Sequence, residues 1–244
     1  MNTRSSLVLL SLLAACAPAD KVDAMEQRLA TLEEEVKTLK SAPARPGAAA
    51  TAGDPAAEAA ADVLLKEIAS LAREGKYDEA KAKLATLKAD HGTTQTYKKA
   101  RRLEQELEII GKAAPASWEI EKWYQGQDTV KLDGSGTTLV VFWEEWCPHC
   151  KREVPELIKT YDALKPQGLQ VVGLTKITKS STEEKVMSFL SENKVNYPMA
   201  KETGALSEHF GVSGIPAAAV VKDGKIVWRG HPASLSEDQL KSWL

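Results

Sequence analysis

The sequence predicts a C-terminal α/β domain that is preceded by helices. An apolar run at residues 139–143 is typical of a buried strand, and apolar residues recur at helical spacing in the segment after it. A second apolar run, at 217–221, leads through Asp223-Gly224 into a third, as in a β-hairpin. Residues 58–112 have the pattern of helices.

Two cysteines follow the first strand, in the sequence Trp146-Cys147-Pro148-His149-Cys150. Cys147 is expected where the strand ends and a helix begins, with Pro148 in the first helical turn, where the missing N–H costs nothing. The unpaired N–H groups and the positive end of the helix dipole favour a thiolate on Cys147. Two thiols in this arrangement can exchange electrons with the disulfide of another protein. The predicted partners are therefore protein substrates with cysteines or disulfides, and no cofactor is predicted.

A CxxC pair is also the pattern of half a structural zinc site, which needs about four ligands. The other histidines, His91, His209 and His231, are scattered along the sequence and do not supply a second pair. A copper carrier is an alternative, because two thiolates can hold a soft ion without further ligands. Redox chemistry is the favoured interpretation, and no metal site is predicted.

Three motifs together resemble the thioredoxin superfamily. They are the WCPHC sequence after an apolar strand, Gly214-Ile215-Pro216 before the next apolar run, and the Asp223-Gly224 turn. The segment 169–216 is longer than in plain thioredoxin and is similar to the extra helix and strand of the TlpA/ResA branch. The resemblance covers roughly residues 117–244 and implies a thioredoxin-like fold.

The same resemblance implies roles for single residues. Cys147 attacks a substrate disulfide, and Cys150 resolves the mixed disulfide that forms. Pro216 matches the family's cis-proline, whose loop faces the cysteines and receives the extended chain of the substrate. Glu153 matches the acidic residue that ResA-like reductases place near their cysteines, and it is expected to help move the proton of the resolving thiol. A solvated glutamate on the helix surface is the alternative for Glu153.

The residues around the cysteines disagree about the direction of electron flow. A Pro-His pair between the cysteines is similar to that of the strongly oxidising DsbA-type proteins, and this indicates an oxidase or isomerase. By contrast, Ile215 before Pro216 is the residue of reducing thioredoxins, and the TlpA/ResA branch is mostly reducing. About 150 mV separates thioredoxin from DsbA, which is roughly 7 kcal/mol for two electrons. The residues predicted to tune the potential are Pro148, His149, Trp146 and Ile215.

Three side chains near the cysteines carry further expectations. His149 is expected to stabilise the Cys147 thiolate by charge or hydrogen bonding, and the alternative is a bystander in the exposed first turn. Trp146 is expected to shield the thiols. Val141 stands where thioredoxin has a buried acid, so that proton relay is absent from this chain.

The N-terminus is typical of a bacterial lipoprotein. Arg4 precedes an apolar run at 7–13 that is too short to span a bilayer. The following Leu-Ala-Ala-Cys resembles the lipobox, which implies that Cys16 becomes the lipidated first residue and holds the protein on a lipid bilayer. This predicts a location in the bacterial cell envelope, facing the periplasm, and Ala17 resembles the residue of lipoproteins sorted to the outer membrane. An ordinary signal peptide with a chance cysteine is the alternative.

The segment after the anchor has coiled-coil spacing. Its apolar residues alternate in steps of three and four, at Val22, Met25, Leu29, Leu32, Val36 and Leu39. In a parallel pair, the flanking charges give Lys21 with Glu26, Arg28 with Glu33, and Glu35 with Lys40, all of them attractive. We therefore predict a homodimer through residues 20–40, with a single amphipathic helix as the alternative.

A linker and a helical module follow. The linker is rich in alanine, proline and glycine. Within the module, Gly75-Lys76-Tyr77-Asp78-Glu79-Ala80 is similar to the turn of a tetratricopeptide hairpin. A single unit cannot build the concave surface of a repeat array. The module is therefore expected to pack on the thioredoxin-like domain or on its own twin, with substrate docking as the next interpretation.

The predicted organisation has six segments in chain order. They are a lipoprotein signal peptide at 1–15, a lipid-anchor segment at 16–19, a coiled coil at 20–40, a linker at 41–57, a TPR-like helical module at 58–113 and a thioredoxin-like domain at 116–244.

Composition excludes some functions and leaves three open. The 244 residues carry a net charge of −2 with no basic cluster, so nucleic acid is not a predicted partner. A peroxiredoxin is disfavoured because its Thr-x-x-Cys pattern is missing. The favoured function is a lipid-anchored extracytoplasmic thiol–disulfide oxidoreductase, a TlpA/ResA-like reductase with a membrane or extracytoplasmic electron donor or acceptor. The alternatives are a DsbA- or DsbC-like oxidase or isomerase, and a non-catalytic copper carrier or tethered adaptor.

Overall fold

The computed structural model describes residues 54–244 together with Arg28 and Thr31. The predicted signal peptide, the lipid anchor at Cys16, the coiled coil apart from those two residues, and nearly all of the linker lie outside the described residues. The helices and strands of residues 54–244 belong to one compact unit, Ala49–Leu244. Every helix in the described part is too short or too polar to cross a membrane.

Three helices form the module: α1 Pro55–Arg73, α2 Tyr77–His91 and α3 Gln95–Ile109. Residues 55–57, which the sequence assigned to the linker, are the first turn of α1. The helix begins early because the Asp54 side chain accepts a hydrogen bond from the backbone N–H of Ala56 and Pro55 occupies the first helical position. Thr94 caps α3 in the same way, by accepting from the N–H of Tyr97.

The remaining elements form a six-stranded mixed sheet with helices on it. In chain order they are β1 Ile120–Gln125, β2 Thr137–Trp143, α4 Pro148–Leu164, β3 Leu169–Thr175, α5 Glu183–Glu192, β4 Met199–Glu202, α6 Ala205–His209, β5 Ala217–Lys222, β6 Lys225–Gly230 and α7 Glu237–Lys241. The strand order is β1-β4-β3-β2-β5-β6. Strands β2, β3 and β4 are parallel, whereas β1, β5 and β6 each run antiparallel to a neighbour. The prediction of an α/β domain preceded by helices is confirmed.

The central strand β2 is buried on both faces, which explains its unbroken apolar sequence. Leu139, Val141 and Trp143 pack in one core with residues of α4, α5 and α7. Val140 and Phe142 pack in a second core on the opposite face, with residues of α3 and α6. A strand covered on both sides shows no alternation of polar and apolar residues.

The helical module is joined to the edge strand β6. The backbone N–H of Gly111 donates to the carbonyl of Ile226 at 2.8 Å, and the N–H of Ile226 donates to the carbonyl of Lys112 at 2.9 Å. Ile109, at the end of α3, is buried in the second core of the sheet. The module therefore packs on the α/β domain, and its connection covers an edge of the sheet that would otherwise be open to another chain.

Candidate active site

The first cysteine of the CxxC pair lies at the junction of β2 and α4. Cys147 is the residue that caps α4, and its extended backbone allows its sulfur to accept a hydrogen bond from the backbone N–H of Cys150 at 3.3 Å. Pro148 occupies the first helical position. The sulfur thereby satisfies one of the N–H groups that a helix N-terminus leaves without an intrahelical partner.

The two cysteines have different surroundings. Cys147 is 4% exposed and Cys150 is fully buried, and neither takes part in a disulfide. Burial raises the pKa of the Cys150 thiol above its ordinary value, and its hydrogen bond with Cys147 raises it further. Cys150 is therefore a thiol in the reduced protein, as a resolving cysteine is before it reacts.

The loop before β5 faces the first cysteine. The peptide bond between Ile215 and Pro216 is cis. The carbonyl oxygen of Ile215 lies 3.8 Å from the sulfur of Cys147, within reach of a thiol hydrogen bond. This arrangement brings the predicted residues Cys147, Ile215 and Pro216 together from two separate parts of the sequence.

A buried glutamate stands beside the pair. Glu144 directly follows β2 and is 7% exposed. Its carboxylate accepts a hydrogen bond from the indole Nε1 of Trp146 at 2.6 Å and another from the hydroxyl of Thr178. Its backbone carbonyl accepts from the N–H of Cys147 at 3.1 Å. Trp146 is thus held in place by the residue two positions before it.

A lysine side chain lies over the ring of Trp146. The ammonium of Lys179, in the loop after β3, lies 3.2 Å from the centre of the indole ring, a cation–π contact. Lys179 is exposed and has φ of 52°, a left-handed conformation that is uncommon for a residue with a side chain. The loop after β3 therefore contributes both Thr178 and Lys179 to the surroundings of the cysteines.

The predicted tuning residue His149 contacts a cation. Its Nδ1 lies 2.6 Å from a terminal nitrogen of the Arg152 guanidinium, and both side chains are exposed. Because arginine only donates, the His149 Nδ1 must accept and carries no proton in this contact. Arg152 therefore occupies the Nδ1 of His149 in this arrangement.

Glu153 is half-buried on α4, and no hydrogen bond or ion pair of its carboxylate is found among the described residues. Its charge acts on His231, which follows β6. Burial lowers the pKa of His231, and the negative charge of Glu153 opposes this shift. The role of Glu153 in moving the proton of Cys150 stays a prediction. Val141 lies in the apolar core, without a charge.

Sequence reasoning missed Glu144, Thr178 and Lys179. Thr178 lies 32 residues after Trp146 in the sequence, and Lys179 follows it. No local motif marks either residue. The sequence does contain a pattern that could have identified Glu144. An acid that directly follows an apolar strand and precedes a CxxC motif by three residues is placed at the buried end of that strand.

The chain is similar to a known protein family and to known thiol-disulfide oxidoreductases. Residues 110–229 match the model of the AhpC/TSA family. The sporulation thiol-disulfide oxidoreductase A of Bacillus subtilis (strain 168) is 25% identical over 132 residues, which are 54% of this chain and 79% of that protein. The thiol-disulfide oxidoreductase ResA of the same strain is 30% identical over 98 residues, 39% of this chain and 52% of ResA. A crystal structure of StoA from Bacillus subtilis is 26% identical, with a TM-score of 0.44, and the alignment covers 54% of this chain and 98% of StoA.

The fold, the paired thiols and the relatives found by sequence define a class, that of the thioredoxin-like thiol–disulfide oxidoreductases. The predicted thioredoxin-like fold and enzymatic class are thereby confirmed. The C-terminal part of the chain belongs to the AhpC/TSA family, and within it the chain is a thiol–disulfide oxidoreductase of the StoA/ResA type. Where a peroxiredoxin would have threonine, three residues before the cysteine, this chain has Glu144.

Proposed function

We propose that the protein is a lipid-anchored, extracytoplasmic reductase of protein disulfides. The observation that carries this proposal is the position of Cys147, whose sulfur caps α4 and faces the carbonyl of Ile215. A sulfur at a helix N-terminus is favoured as a thiolate, and the cis-proline loop beside it offers backbone groups to an extended substrate chain. Protein substrates with accessible disulfides fit this arrangement.

The proposed reaction uses both cysteines. The Cys147 thiolate attacks one sulfur of the substrate disulfide, and the other substrate sulfur leaves as a thiolate. The Cys150 thiol then loses its proton and attacks Cys147, so that the second substrate sulfur leaves and the two cysteines form a disulfide. The substrate gains two electrons and the protein loses two. A thiol donor in the membrane or in the extracytoplasmic space restores the dithiol.

The reducing direction is supported by His149 and Ile215. Strong oxidants of this superfamily stabilise their reduced form, so that the disulfide is readily given away. A hydrogen bond from His149 to the Cys147 sulfur would contribute such stabilisation, but the Nδ1 of His149 contacts the Arg152 guanidinium instead, at 2.6 Å. Ile215, the residue of reducing thioredoxins, precedes the cis-proline.

The equilibrium with glutathione tests the direction. We expect a reduction potential near that of thioredoxin, about −270 mV, whereas a DsbA-like oxidase would lie near about −120 mV. A value at the oxidising end would replace the reductase proposal with the oxidase or isomerase alternative. Failure of the dithiol to react with any disulfide, together with tight binding of Cu(I), would favour a copper carrier.

The lipid anchor is tested separately. Cys16 lies in the lipobox-like sequence, and attached fatty chains would bind the protein stably to a bilayer. Cys16→Ser is expected to move the protein from the membrane fraction of its bacterial host to the soluble fraction. Cys147→Ser is the matched control, because it also removes one thiol but leaves the anchor unchanged. Membrane retention of the Cys16 variant would rule out lipidation at this residue.

A further inference from the structure

Glu144 is a buried carboxylate, and within residues 54–244 its two hydrogen-bond donors are both neutral. They are the indole N–H of Trp146 and the hydroxyl of Thr178. Among the ion pairs of residues 54–244, none includes Glu144. The neighbouring Glu145 does have a paired cation, because its carboxylate lies 2.6 Å from the ammonium of Lys151.

Burial of a carboxylate without a paired cation lowers the stability of the folded protein. A carboxylate taken out of water without a paired cation loses hydration that two neutral hydrogen bonds replace only in part. A lysine, Lys179, lies over the ring of Trp146, but it is exposed, so its charge is screened by solvent. A costly buried charge next to reactive groups is a pattern that marks functional sites.

The charge lies beside the cysteines. The backbone carbonyl of Glu144 is bonded to the N–H of Cys147. Burial and the hydrogen bond with Cys147 are the larger causes of the raised pKa of the Cys150 thiol. A hydrogen bond with the backbone of Glu144 opposes them, and the negative charge of the Glu144 side chain adds a smaller contribution that raises the pKa. A fixed negative charge at this position disfavours a second negative charge on either sulfur, and in a buried site the repulsion is weakly screened.

This repulsion shifts the equilibrium between the dithiol and the disulfide in one direction. Only the reduced protein can carry a thiolate, since the disulfide is neutral. A group that disfavours the thiolate therefore destabilises the reduced form relative to the disulfide, which makes the pair a stronger reductant. It is the opposite of the thiolate stabilisation that makes DsbA an oxidant.

We propose that Glu144 is a positioning residue that keeps the cysteine pair reducing, by opposing negative charge on the sulfurs of the reduced protein. The inference rests on the redox function proposed for Cys147 and Cys150. Glu144 also accepts the hydrogen bond of the Trp146 indole, so that one side chain fixes both this ring and the local charge.

The test is the equilibrium constant with glutathione for a set of single variants. Glu144→Gln removes the charge but keeps the length and an oxygen that accepts from Trp146 and Thr178. We expect it to move the equilibrium about tenfold towards the dithiol, which corresponds to about 30 mV. Glu144→Asp keeps the charge and is expected to stay within about threefold of the wild type. Glu145→Gln is the matched control, because it removes the neighbouring charge, which Lys151 already compensates, and should change the constant less than Glu144→Gln.

Two outcomes would overturn the proposal. One is a folded Glu144→Gln protein with the wild-type equilibrium constant, and the other is a shift in Glu144→Asp as large as that in Glu144→Gln, which would indicate a structural effect. If Glu144→Gln does not fold, Thr178→Val replaces it. Loss of that hydrogen bond leaves the carboxylate charge less shielded, so the equilibrium should move towards the disulfide, and any other result counts against the proposal.

The failure of this inference can be told from the failure of the proposed function. The wild-type constant alone tests whether the protein is a reductase. The difference between the wild type and Glu144→Gln tests the role of Glu144, whatever the absolute value is. An oxidising wild type with a tenfold shift in the variant would reject the first proposal and keep the second.

Discussion

Cys147 and Cys150 are separated by two residues but differ in chemistry, because one caps a helix and the other lies inside it. The sulfur of Cys147 accepts a backbone hydrogen bond and faces the loop where a substrate would lie. Cys150 is fully buried, and burial raises the pKa of its thiol. We therefore expect a substrate to reach the first sulfur, and the second to react only after the mixed disulfide has formed.

Substitution of the two cysteines should give different products. Cys147→Ser is expected to abolish reduction of insulin, since no other thiol of the pair is accessible. Cys150→Ser is expected to accumulate mixed disulfides with substrate proteins, because the attacking sulfur remains and the resolving one is lost. Non-reducing gels and insulin turbidity measure the two effects. Turnover retained in Cys147→Ser but lost in Cys150→Ser would reverse the assignment.

The contact between His149 and Arg152 predicts a small effect of the histidine. Because Arg152 occupies the Nδ1 of His149 and both side chains are exposed, His149→Ala should change the reduction potential by less than about 30 mV, a tenfold change in equilibrium constant. Arg152→Ala frees the Nδ1 of His149 and should make the potential less reducing. A large shift to more reducing values in His149→Ala would instead support a charged histidine and the oxidase alternative.

The sequence identified the residues that carry local signals. The CxxC motif, the apolar strand before it and the proline of the facing loop are each marked by neighbouring residues, so Cys147, Cys150 and Pro216 were expected. The partners Thr178 and Lys179 come from the loop after β3, and the sheet alone brings that loop to the end of β2. The contact of His149 with Arg152 depends on side-chain rotamers, and periodicity does not specify them.

At the scale of elements, the segment between β3 and β5 supports the catalytic helix. Tyr197 is fully buried, and its hydroxyl donates to the backbone carbonyl of Val154 in α4 at 2.9 Å. Its ring also packs edge-on against Tyr161 of the same helix, with 5.9 Å between the ring centres. Sequence reasoning recognised this segment as an addition to the thioredoxin fold, but its hydrogen bond to α4 required the folded structure.

Removal of the Tyr197 hydroxyl should weaken this connection. Tyr197→Phe keeps the ring but leaves a buried carbonyl with one partner fewer, so the free energy of unfolding is expected to fall by about 1 kcal/mol. Urea denaturation followed by circular dichroism measures the change. Tyr161→Phe is the matched control, because no hydrogen bond of its hydroxyl is found within the described part of the chain. Equal losses in the two variants would mean that the hydrogen bond to Val154 is not responsible.

At the scale of the whole molecule, the helical module is part of the oxidoreductase domain. Tyr77 of α2 packs against the core of the sheet as well as that of the module, and Ile109 lies in the core on the opposite face of the sheet. The backbone of residues 111–114 is bonded to residues 224–226, which continues the packing to the edge of the sheet. The module and the sheet therefore share apolar cores, so the module does not behave as an independent repeat.

The coiled coil predicted for residues 20–40 lies almost entirely outside the described residues, and we expect it to determine the oligomeric state. A protein that begins at Asp20 is expected to be a parallel dimer, because its apolar residues repeat in heptads and its flanking charges attract. A protein without residues 20–40 should be a monomer with unchanged reduction of insulin, since the active site is built within residues 54–244. Sedimentation equilibrium of the two proteins measures this.

Matched substitutions separate the coiled coil from other causes of dimerisation. Leu32→Asp places a charge at an apolar position of the heptad and should dissociate the dimer. Ala30→Asp adds the same charge at a position facing away from the partner and should leave the dimer intact. A monomeric wild type at micromolar concentration would identify residues 20–40 as a spacer. A dimer that survives both Leu32→Asp and the deletion would place the interface in the helical module or the oxidoreductase domain instead.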